Sequence, residues 1–524
     1  MMTGEAYRES LRALSPRVFL DGALVDSVVD APGLAPGVNA VAASYDLLSD
    51  PHWRPLMWAT DPDTGKPVDR MLTIDRNADD LLKKLEAVRL MCRQVGCAQR
   101  YLAHDAISGI WQATVRADAE EGGERHDRFR TWLAGVQAGG LSLGIAMTDA
   151  KGDRSLRPHE QPVQDAYVHV HARRPGGIVL KGVKAIITGG PYMHELLVMP
   201  GRAMRAEDAE FAVCCAVPVD APGLTMVSRP AGRPGDPSAK FSAKYGQCVA
   251  VAIFDEVFVP WDRVFMDRDW GHAHHLATTY AAHHRHSCIA ARAGFGDLLI
   301  GAGATMIEAN GLDPAGMPHI RDAMVELITI VESFYACGVA ASTFAAFDGT
   351  GVAQPDAVYS NVGKLLLATK IYDMHRLAHH VSGGLVVALP GPAEDHNPAV
   401  SGTLDAVFAG RADVPVDTRR NVARLMEDLT ASYTAGWFSV ISLHGGGSPE
   451  AMKREIWRHY PVEDRKTLVE DLIDRGVAGP DAAKDRQPGR CCVSGCQIPP
   501  AQIEARPGAE APPETTPESK HETV

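Results

Sequence analysis

Residues 253–296 decide the fold, with IFDEVFVPWDRVF at 253–265 and AAHHRHSCIAARAGFG at 281–296. The first segment is an apolar run that ends at Pro260, and it predicts a strand because proline cannot donate to a sheet ladder. The second segment begins a long helical region that is rich in titratable and nucleophilic side chains. These side chains are His283, His284, His286 and Cys288. A strand that leads into a histidine-dense helix is a candidate place for a site.

The hydrophobic pattern divides the chain into three folded parts. Residues 1–143 are predicted to form a mainly helical domain, because apolar side chains recur at helical spacing through much of this part, most strongly over residues 77–113. Residues 144–275 carry short alternating apolar segments between glycines and prolines, which predicts a compact antiparallel barrel or sandwich. Residues 276–478 return to helical spacing and are predicted to form a helical bundle. Helices, then strands, then helices predict an α+β fold with segregated layers.

Composition bounds the class of protein. The 524 residues are 45% hydrophobic and 22% charged, as in an ordinary globular protein with a sizeable core. The net charge of −13 argues against nucleic acid as a partner, because binding phosphates needs a basic surface. The N-terminus lacks a signal-peptide core, and no apolar run approaches the length of a membrane span. Ten scattered cysteines indicate reduced thiols. We therefore expect a cytoplasmic protein without a membrane partner.

The tail at residues 479–524 is rich in proline, glutamate, threonine and charge, and is predicted to be disordered. It holds Cys491, Cys492 and Cys496, which lack a fourth metal ligand nearby. Their role is left open.

The histidine-rich helix invites a metal-site interpretation. Within the helix only His283 and His286 are spaced to share a face. No carboxylate or cysteine stands at a recognised metal-ligand spacing beside them. The sequence therefore predicts no metal site.

Two segments favour an anionic ligand. Residues 151–154, which are Lys151, Gly152, Asp153 and Arg154, combine a flexible backbone with two cations that suit a pyrophosphate. Residues 445–448, which are Gly445, Gly446, Gly447 and Ser448, offer backbone N–H groups with little side-chain obstruction. A glycine-rich turn between helices is also found simply as a turn, so either segment alone leaves the ligand open.

Several phrases resemble one flavoprotein family, that of 4-hydroxyphenylacetate 3-hydroxylase and 4-hydroxybutyryl-CoA dehydratase. They are TDAKGDR (148–154), GVKAIITGGPYMHE (182–195), FDEVFVPWDRVF (254–265), HHRHS (283–287) and HGGGSP (444–449). The wording is closer to the dehydratase branch. The resemblance implies an acyl-CoA-dehydrogenase-like fold whose C-terminal helical bundle builds a homotetramer. It also implies FAD between the β domain, the helices and a neighbouring subunit.

The resemblance assigns the cofactor side of the site. Thr188 resembles the position that hydrogen-bonds the flavin, although on its residue type alone it is a strand-end threonine. The dehydratase branch also holds a [4Fe–4S] cluster with three cysteines and a histidine. Cys97 and His284 match two of these ligand positions, whereas Tyr101 and Ala291 stand at the other two. Two ligands out of four do not hold a cubane cluster, so no [4Fe–4S] cluster is expected.

The hydroxylase branch binds its phenol with an arginine, a tyrosine and a histidine. Arg100 matches the arginine, His104 stands at the tyrosine position, and Ile145 or a neighbour stands at the histidine position. A histidine can exchange protons near neutral pH, so His104 is a candidate acid–base group. The predicted catalytic residues are Arg100, His104 and His284.

The sequence thus predicts an FAD-dependent oxidoreductase of the monooxygenase type, acting on a small organic substrate. Reduced FAD (FADH2) would be a co-substrate delivered by a separate flavin reductase. One alternative is a cluster-free flavin-dependent dehydratase, isomerase or dehydrogenase of an acyl thioester. Another is an inactive family member that serves as a binding protein.

Overall fold

A computed structural model describes residues 1–61 and 64–475 of the chain. The predicted disorder of residues 479–524 and the three cysteines there lie outside the described residues. The chain separates into a compact unit, Met1–Glu463, and a second unit, Asp464–Val524, of which residues 464–475 are described and are helical. The elements that build the site all lie in the first unit.

The described residues contain helices and strands in a mixed order. The helices are α1 (Gly4–Arg12), α2 (Ala35–Ser49), α3 (Arg54–Met57), α4 (Ala78–Val95), α5 (Tyr101–Glu121), α6 (Arg125–Gly139), α7 (Ala273–Ala309), α8 (Pro318–Thr343), α9 (Ala357–Ser382), α10 (Leu385–Ala388), α11 (Ser401–Phe408), α12 (Val416–Thr430), α13 (Tyr433–His444), α14 (Pro449–His459) and α15 (Val462–Arg475). The strands are β1 (Arg17–Leu20), β2 (Ala23–Leu24), β3 (Trp58–Thr60), β4 (Pro67–Asp69), β5 (Leu143–Ala146), β6 (His169–Arg174), β7 (Gly177–Thr188), β8 (Glu195–Val198), β9 (Val213–Pro218), β10 (Leu224–Ser228), β11 (Val249–Pro260), β12 (Val264–Asp267), β13 (Ala346–Phe347) and β14 (Ala353–Gln354). Short 3₁₀ turns occur at Arg70–Leu72, Pro158–Glu160, Gln164–Ala166, Gly190–Tyr192, Ala206–Phe211, Trp261–Arg263 and Pro392–His396.

The mixed helix-and-sheet class predicted from the sequence is confirmed, but the central strands form no barrel. They make two open sheets, a six-stranded one in the order β2-β1-β10-β11-β7-β6 and a four-stranded one in the order β12-β9-β8-β5. The strands are also not all antiparallel, since β1 pairs with β10 and β5 with β8 in parallel. The N-terminal segment supplies β1 and β2 to the larger sheet. The predicted division at residues 143/144 and 275/276 and the acyl-CoA-dehydrogenase-like arrangement stay predictions.

The strand predicted from FDEVFVP is β11, at the centre of the larger sheet. Its final residue, Pro260, pairs opposite Gly177 at the start of β7. A Cβ at Gly177 would overlap the carbonyl oxygen of Val259, so the close approach requires glycine. At the other end of the pair, Thr188 lies opposite Val249. The pairing thus carries Thr188 to the sheet end that borders the site.

The helical spacing between residues 77 and 113 belongs to two helices rather than one. The Asn77 side chain caps α4 by accepting from the Asp80 N–H at 2.9 Å. The helix ends at Gly96, whose φ of +71° favours glycine. Because of this break, Cys97 and Arg100 lie in the short segment that joins α4 to α5.

Helix α7 is the histidine-dense helix, and it is buried against α4, α5, α8 and α9. Because helical side chains point in all directions around the axis, the neighbouring histidines face different helices. His283 faces Gln112 of α5, with 3.2 Å between Nε2 and Oε1. His286 faces Ser342 of α8, with 2.8 Å between Nε2 and Oγ.

Helix α8 is the one helix in the described part of the chain that is long and apolar enough to cross a membrane. It packs along α9 and α7 of the same unit. Its other side carries exposed apolar residues, among them Val325 and Ile328, which are 53% and 41% exposed. A single such helix is weak evidence for a membrane span.

Candidate active site

A cleft of about 1580 Å³ opens between the end of the larger sheet, α7 and the turn that joins α13 to α14. A smaller cavity of about 50 Å³ adjoins it. The two share the lining residues Leu102, Thr188, His284, Ile441 and Gly445. The smaller cavity is therefore the inner end of the cleft, and Thr188 and His284 stand at the passage between the two.

The segment at residues 151–154 forms a tight turn on the cleft wall. Lys151 and Gly152 both have positive φ, +73° and +49°. Gln161 closes the turn, because its Oε1 accepts from the Asp153 N–H at 3.0 Å and its Nε2 donates to the Asp153 carbonyl at 2.7 Å. Lys151 and Arg154 line the cleft. Gly152 and Asp153 shape the turn that presents the two cations.

The glycine-rich turn at residues 444–448 lines the opposite wall along its whole length. Gly446 and Gly447 have φ of +76° and +106°, a region that L-residues with side chains adopt only with strain. The Gly446 carbonyl accepts from Arg285 Nε at 2.9 Å, and this anchors the turn on α7. Ser448 caps α14 by accepting from the Ala451 N–H. These contacts fix the backbone conformation of the turn where it lines the cleft.

His284 is held on all sides at the inner end of the cleft. Its Nδ1 lies 3.0 Å from Asp105 Oδ2, and its Nε2 lies 3.6 Å from Cys288 Sγ. The ring is stacked between Tyr101 and Tyr280, at centroid distances of 6.3 and 5.3 Å. Burial opposes the charged imidazolium, but Cys288 and Asp105 outweigh it and raise the pKa of His284 to about 10. The imidazolium in turn lowers the pKa of the Cys288 thiol against the effect of burial. Each of the two groups thus favours the charged form of the other.

Behind His284 lies a chain of buried charges. Ser287 Oγ donates to Asp105 Oδ1 at 2.6 Å. Lys84 Nζ, on α4, lies 3.8 Å from Asp105 and 3.6 Å from Asp75, and all three side chains are fully buried. His104 closes the chain, with Nε2 at 3.4 Å from Asp75. We name Asp105, Lys84, Asp75 and His104 the buried charge chain.

The predicted catalytic residues are thus not all in one place. Arg100 is buried in an ion pair with Asp69, and its guanidinium lies 3.8 Å from the centre of the Tyr45 ring. Neither Arg100 nor His104 lines the two cavities formed by the described residues. The structure brings His284, Thr188, Lys151, Arg154 and the turn at 444–448 to the cleft, whereas Arg100 and His104 lie outside its lining.

Sequence reasoning missed two groups at the inner cavity, Lys364 and Gln247. Arg292 also lies there and stands where the resembled family has a lysine. Lys364 of α9 donates to the Ser442 carbonyl at 2.7 Å, and burial lowers its pKa to about 8. Arg292 is buried with its Nη1 lacking a hydrogen-bond partner among the described residues. Gln247 lies there too. Lys364 and Gln247 belong to no motif, and only the fold brings them beside α7.

The fold and the cleft together define a mixed helix-and-sheet protein with a cation-lined cleft between the end of a sheet and several helices, wide enough for a large anionic ligand. Two family profiles match it: "4-hydroxyphenylacetate 3-hydroxylase N terminal" over residues 3–266 and "4-hydroxyphenylacetate 3-hydroxylase C terminal" over residues 273–474. The chain belongs to the 4-hydroxyphenylacetate 3-hydroxylase family. The family predicted from the sequence motifs is confirmed.

Similar proteins come from both branches of the family. The 4-hydroxybutyryl-CoA dehydratase/vinylacetyl-CoA-Δ-isomerase of Clostridium aminobutyricum is 32% identical over 90% of this chain and 99% of its own. An oxygen-tolerant archaeal 4-hydroxybutyryl-CoA dehydratase from N. maritimus is 34% identical, with a TM-score of 0.86 over 90% of this chain and 95% of its own. The HpaB oxygenase component of 4-hydroxyphenylacetate 3-monooxygenase, complexed with FAD, is 23% identical. Its TM-score of 0.81 over 91% of this chain and 99% of its own shows the same fold.

Proposed function

We propose that this protein is an FAD-dependent oxidoreductase, and specifically a monooxygenase that acts on a small organic substrate. It would use reduced FAD delivered by a separate flavin reductase. The observation that carries the proposal is that every flavin-side segment predicted from the sequence meets in one cleft, while the iron–sulfur ligand set is incomplete. The FAD complex of an oxygenase component with the same fold supports it.

The residues of the cleft fit FAD. Lys151 and Arg154 are cations suited to the pyrophosphate, and the turn at 444–448 offers backbone N–H groups. Thr188 lines both cavities at the passage between them, which supports a role for its hydroxyl at the polar edge of the flavin ring. When bound, reduced flavin supplies the electrons with which molecular oxygen is activated.

His284 is the proposed acid–base residue that faces the substrate. Its stacking between Tyr101 and Tyr280 fixes the ring plane, and Asp105 fixes the orientation. A protonated imidazole in a dry cavity can donate a hydrogen bond to an oxygen that becomes negatively charged. We propose that Arg100 and His104 support the inner part of the site through their contacts with Asp69 and Asp75.

The inner cavity does not fit the iron–sulfur cluster of the dehydratase branch. Cys97 and His284 are present, but Tyr101 and Ala291 supply no thiolate. Among the described residues no group of three or more His, Cys, Asp or Glu side chains is placed to hold a metal ion. We therefore propose chemistry without a cluster.

A second candidate is a cluster-free flavin-dependent dehydratase, isomerase or dehydrogenase of an acyl thioester. The higher identity to the two dehydratases, 32% and 34%, favours it. The two candidates differ in their need for oxygen. Chemically reduced FAD with 4-hydroxyphenylacetate in air probes the first, and oxidised FAD with anaerobic 4-hydroxybutyryl-CoA probes the second.

The deciding experiment begins with the absorbance spectrum of the purified protein, with added FAD. We expect a flavin spectrum without a broad iron–sulfur shoulder, and oxygen-dependent product with reduced FAD in a screen of small phenols. Thioester turnover without oxygen, and no oxygenated product, would favour the second candidate. Protein that binds no flavin on titration would contradict both and support the alternative of a binding protein.

Gly447→Ala is expected to weaken FAD binding about tenfold. An alanine at a positive φ costs roughly 1–2 kcal/mol, and the turn would relax away from its cleft-facing conformation. The measurement is titration of FAD by fluorescence. The matched control is Gly384→Ala, at an open site with negative φ, which should bind FAD as the unmodified chain does. Equal affinities for both variants would contradict the assignment of this turn.

We also propose that the protein is a homotetramer that uses the exposed apolar side of α8. Ile328→Lys should lower the mass measured by sedimentation equilibrium, because a charge would be buried in an apolar interface. The control is Leu24→Lys on the edge strand β2, where the leucine is 56% exposed. A tetramer that persists in Ile328→Lys would exclude this side of α8 as the interface.

A further inference from the structure

The inner cavity contains a cysteine, a histidine and an aspartate in series. Cys288 Sγ lies 3.6 Å from His284 Nε2, and His284 Nδ1 lies 3.0 Å from Asp105 Oδ2. Cys288 follows His284 by one helical turn, so both project from the same face of α7. A nucleophile next to a base, with the base oriented by a third group, is the arrangement of covalent catalysis. Cys288 and His284 line the cavity, and Asp105 lies behind them.

The base is held in this orientation by contacts on several sides. Asp105 accepts from Ser287 Oγ at 2.6 Å with the oxygen that does not face His284. Tyr101 and Tyr280 restrict the imidazole to one plane. An aligned Nε2 can therefore both hold the Cys288 sulfur as a thiolate and return a proton to a bound molecule.

A second and independent observation points to a ligand at this place. Arg292 lines the same cavity and is 5% exposed, yet its Nη1 has no hydrogen-bond partner within the described residues. The guanidinium lies 5.4 Å from the centre of the Phe438 ring, but a buried Nη1 without a hydrogen-bond partner is costly, and an anion or a polarised oxygen in the cavity would satisfy it. The cavity is thus built for an oxygen-bearing group beside the sulfur.

We propose that Cys288 is a nucleophile that adds to a short α,β-unsaturated carbonyl compound, with His284 as proton donor and Arg292 at the carbonyl oxygen. The Cys288 sulfur bonds to the β-carbon while the C=C π bond breaks. Its electron pair moves toward the carbonyl oxygen, which Arg292 holds as an enolate. The α-carbon then takes the proton of His284 Nε2. The product is a thioether, and no electron acceptor is needed.

The cavity favours addition over acyl transfer. Its volume of about 50 Å³ has room for a few water-sized groups, at about 10–15 Å³ for each. Acyl transfer would also need space for a departing group, whereas addition releases nothing. The proposal does not depend on the flavin reaction.

Acrylate and acrylamide are the probes, because both are small and differ in the charge that Arg292 would recognise. The full-length protein is incubated with each, and labelling of every cysteine is followed by peptide mass spectrometry. Cys337, which is half-buried outside the cavity, is the internal reference. We expect acrylate to label Cys288 about tenfold faster than Cys337, as is typical of a thiolate next to an imidazolium.

The variants separate the roles of the three groups. Cys288→Ser should remove the label, and Asp105→Asn should slow labelling of Cys288 but not of Cys337. In the unmodified protein, the ratio of the acrylate labelling rate to the acrylamide labelling rate should be higher at Cys288 than at Cys337. In Arg292→Gln the ratio at Cys288 should fall to the value at Cys337. In Arg292→Lys the higher ratio at Cys288 should be restored. Asp105 acts through His284 and is a positioning residue.

Three outcomes would overturn the proposal. These are labelling of Cys97 in place of Cys288, a rate at Cys288 no greater than at Cys337, and a rate ratio that Arg292→Gln leaves unchanged. The first two are measured on the unmodified protein, so they do not depend on whether a variant folds. Failure here would leave FAD binding and oxygen-dependent turnover unaffected, which distinguishes it from failure of the proposed function.

Discussion

Gly294→Ala is expected to lower the free energy of unfolding by about 2–3 kcal/mol, the upper part of the range for overpacking a tight interior. A Cβ at this position of α7 would lie 2.6 Å from both the Arg89 carbonyl oxygen and the Arg93 nitrogen of α4. Both are backbone atoms, which cannot rotate away as a side chain can. The added methyl group must therefore push α4 and α7 apart. Urea unfolding with an unchanged m-value measures the loss.

The control for this prediction is Gly301→Ala in the same helix. No atom lies within 4 Å of a Cβ there, so nothing opposes the substitution. Alanine inside a helix should stabilise the protein by about 0.5–1 kcal/mol relative to glycine. If both variants unfolded at the same urea concentration, the close contact between α4 and α7 would not be what Gly294 provides.

Local sequence patterns predicted individual helices and strands, but not which distant strands pair in the sheets. The passage from β11 to α7 was predictable because a strand ending in proline and a long helical periodicity are both local. The sheet was not, because the parallel pairing of β1 with β10 joins residues 17–20 to residues 225–228. The break at Gly96 was also missed, since the apolar spacing continues across it and only its positive φ separates α4 from α5.

The site was predictable on its flavin side and less so on its inner side. Residues 151–154 and 444–448 stand out by composition, and the structure places both on the cleft. Lys364 carries no motif, and its closeness to His284 depends on how α7 packs against α9. His104 of α5 contacts Asp75 and does not line the cleft. Asp75 precedes α4, and no spacing rule in the sequence connects it to α5.

Lys84→Met is expected to lower the free energy of unfolding by about 3–5 kcal/mol at pH 7, as does the loss of one partner of a buried ion pair. Lys84 lies between Asp75 and Asp105, and none of the three is exposed. Methionine fills a similar volume but leaves the two carboxylates without their shared cation. Thermal and urea unfolding measure the loss, and labelling of Cys288 reports whether the positioning of His284 is also disturbed.

The neighbouring Lys83→Met is the matched control. Lys83 is 45% exposed and pairs with Asp79 on the helix surface, so its loss should cost less than about 0.5 kcal/mol. The two variants make the same chemical change at adjacent positions of α4. A similar cost for both would mean that burial of the charge chain does not determine its contribution to stability.

The pH dependence gives Lys84→Met a signature that a packing defect would lack. Burial opposes the Asp75 carboxylate, but His104 and Lys84 outweigh it and hold its pKa well below the usual range. Its stabilising contribution is therefore present above the unfolded pKa of about 3.9 and lost as pH falls through the lower folded value. Without Lys84, protonation of Asp75 in the folded state becomes more favourable. The difference in the free energy of unfolding between the unmodified chain and Lys84→Met should therefore narrow as the pH is lowered from 7 towards about 4. A difference that stays constant over this range would indicate a cavity or a clash, and would contradict a buried charge chain behind His284.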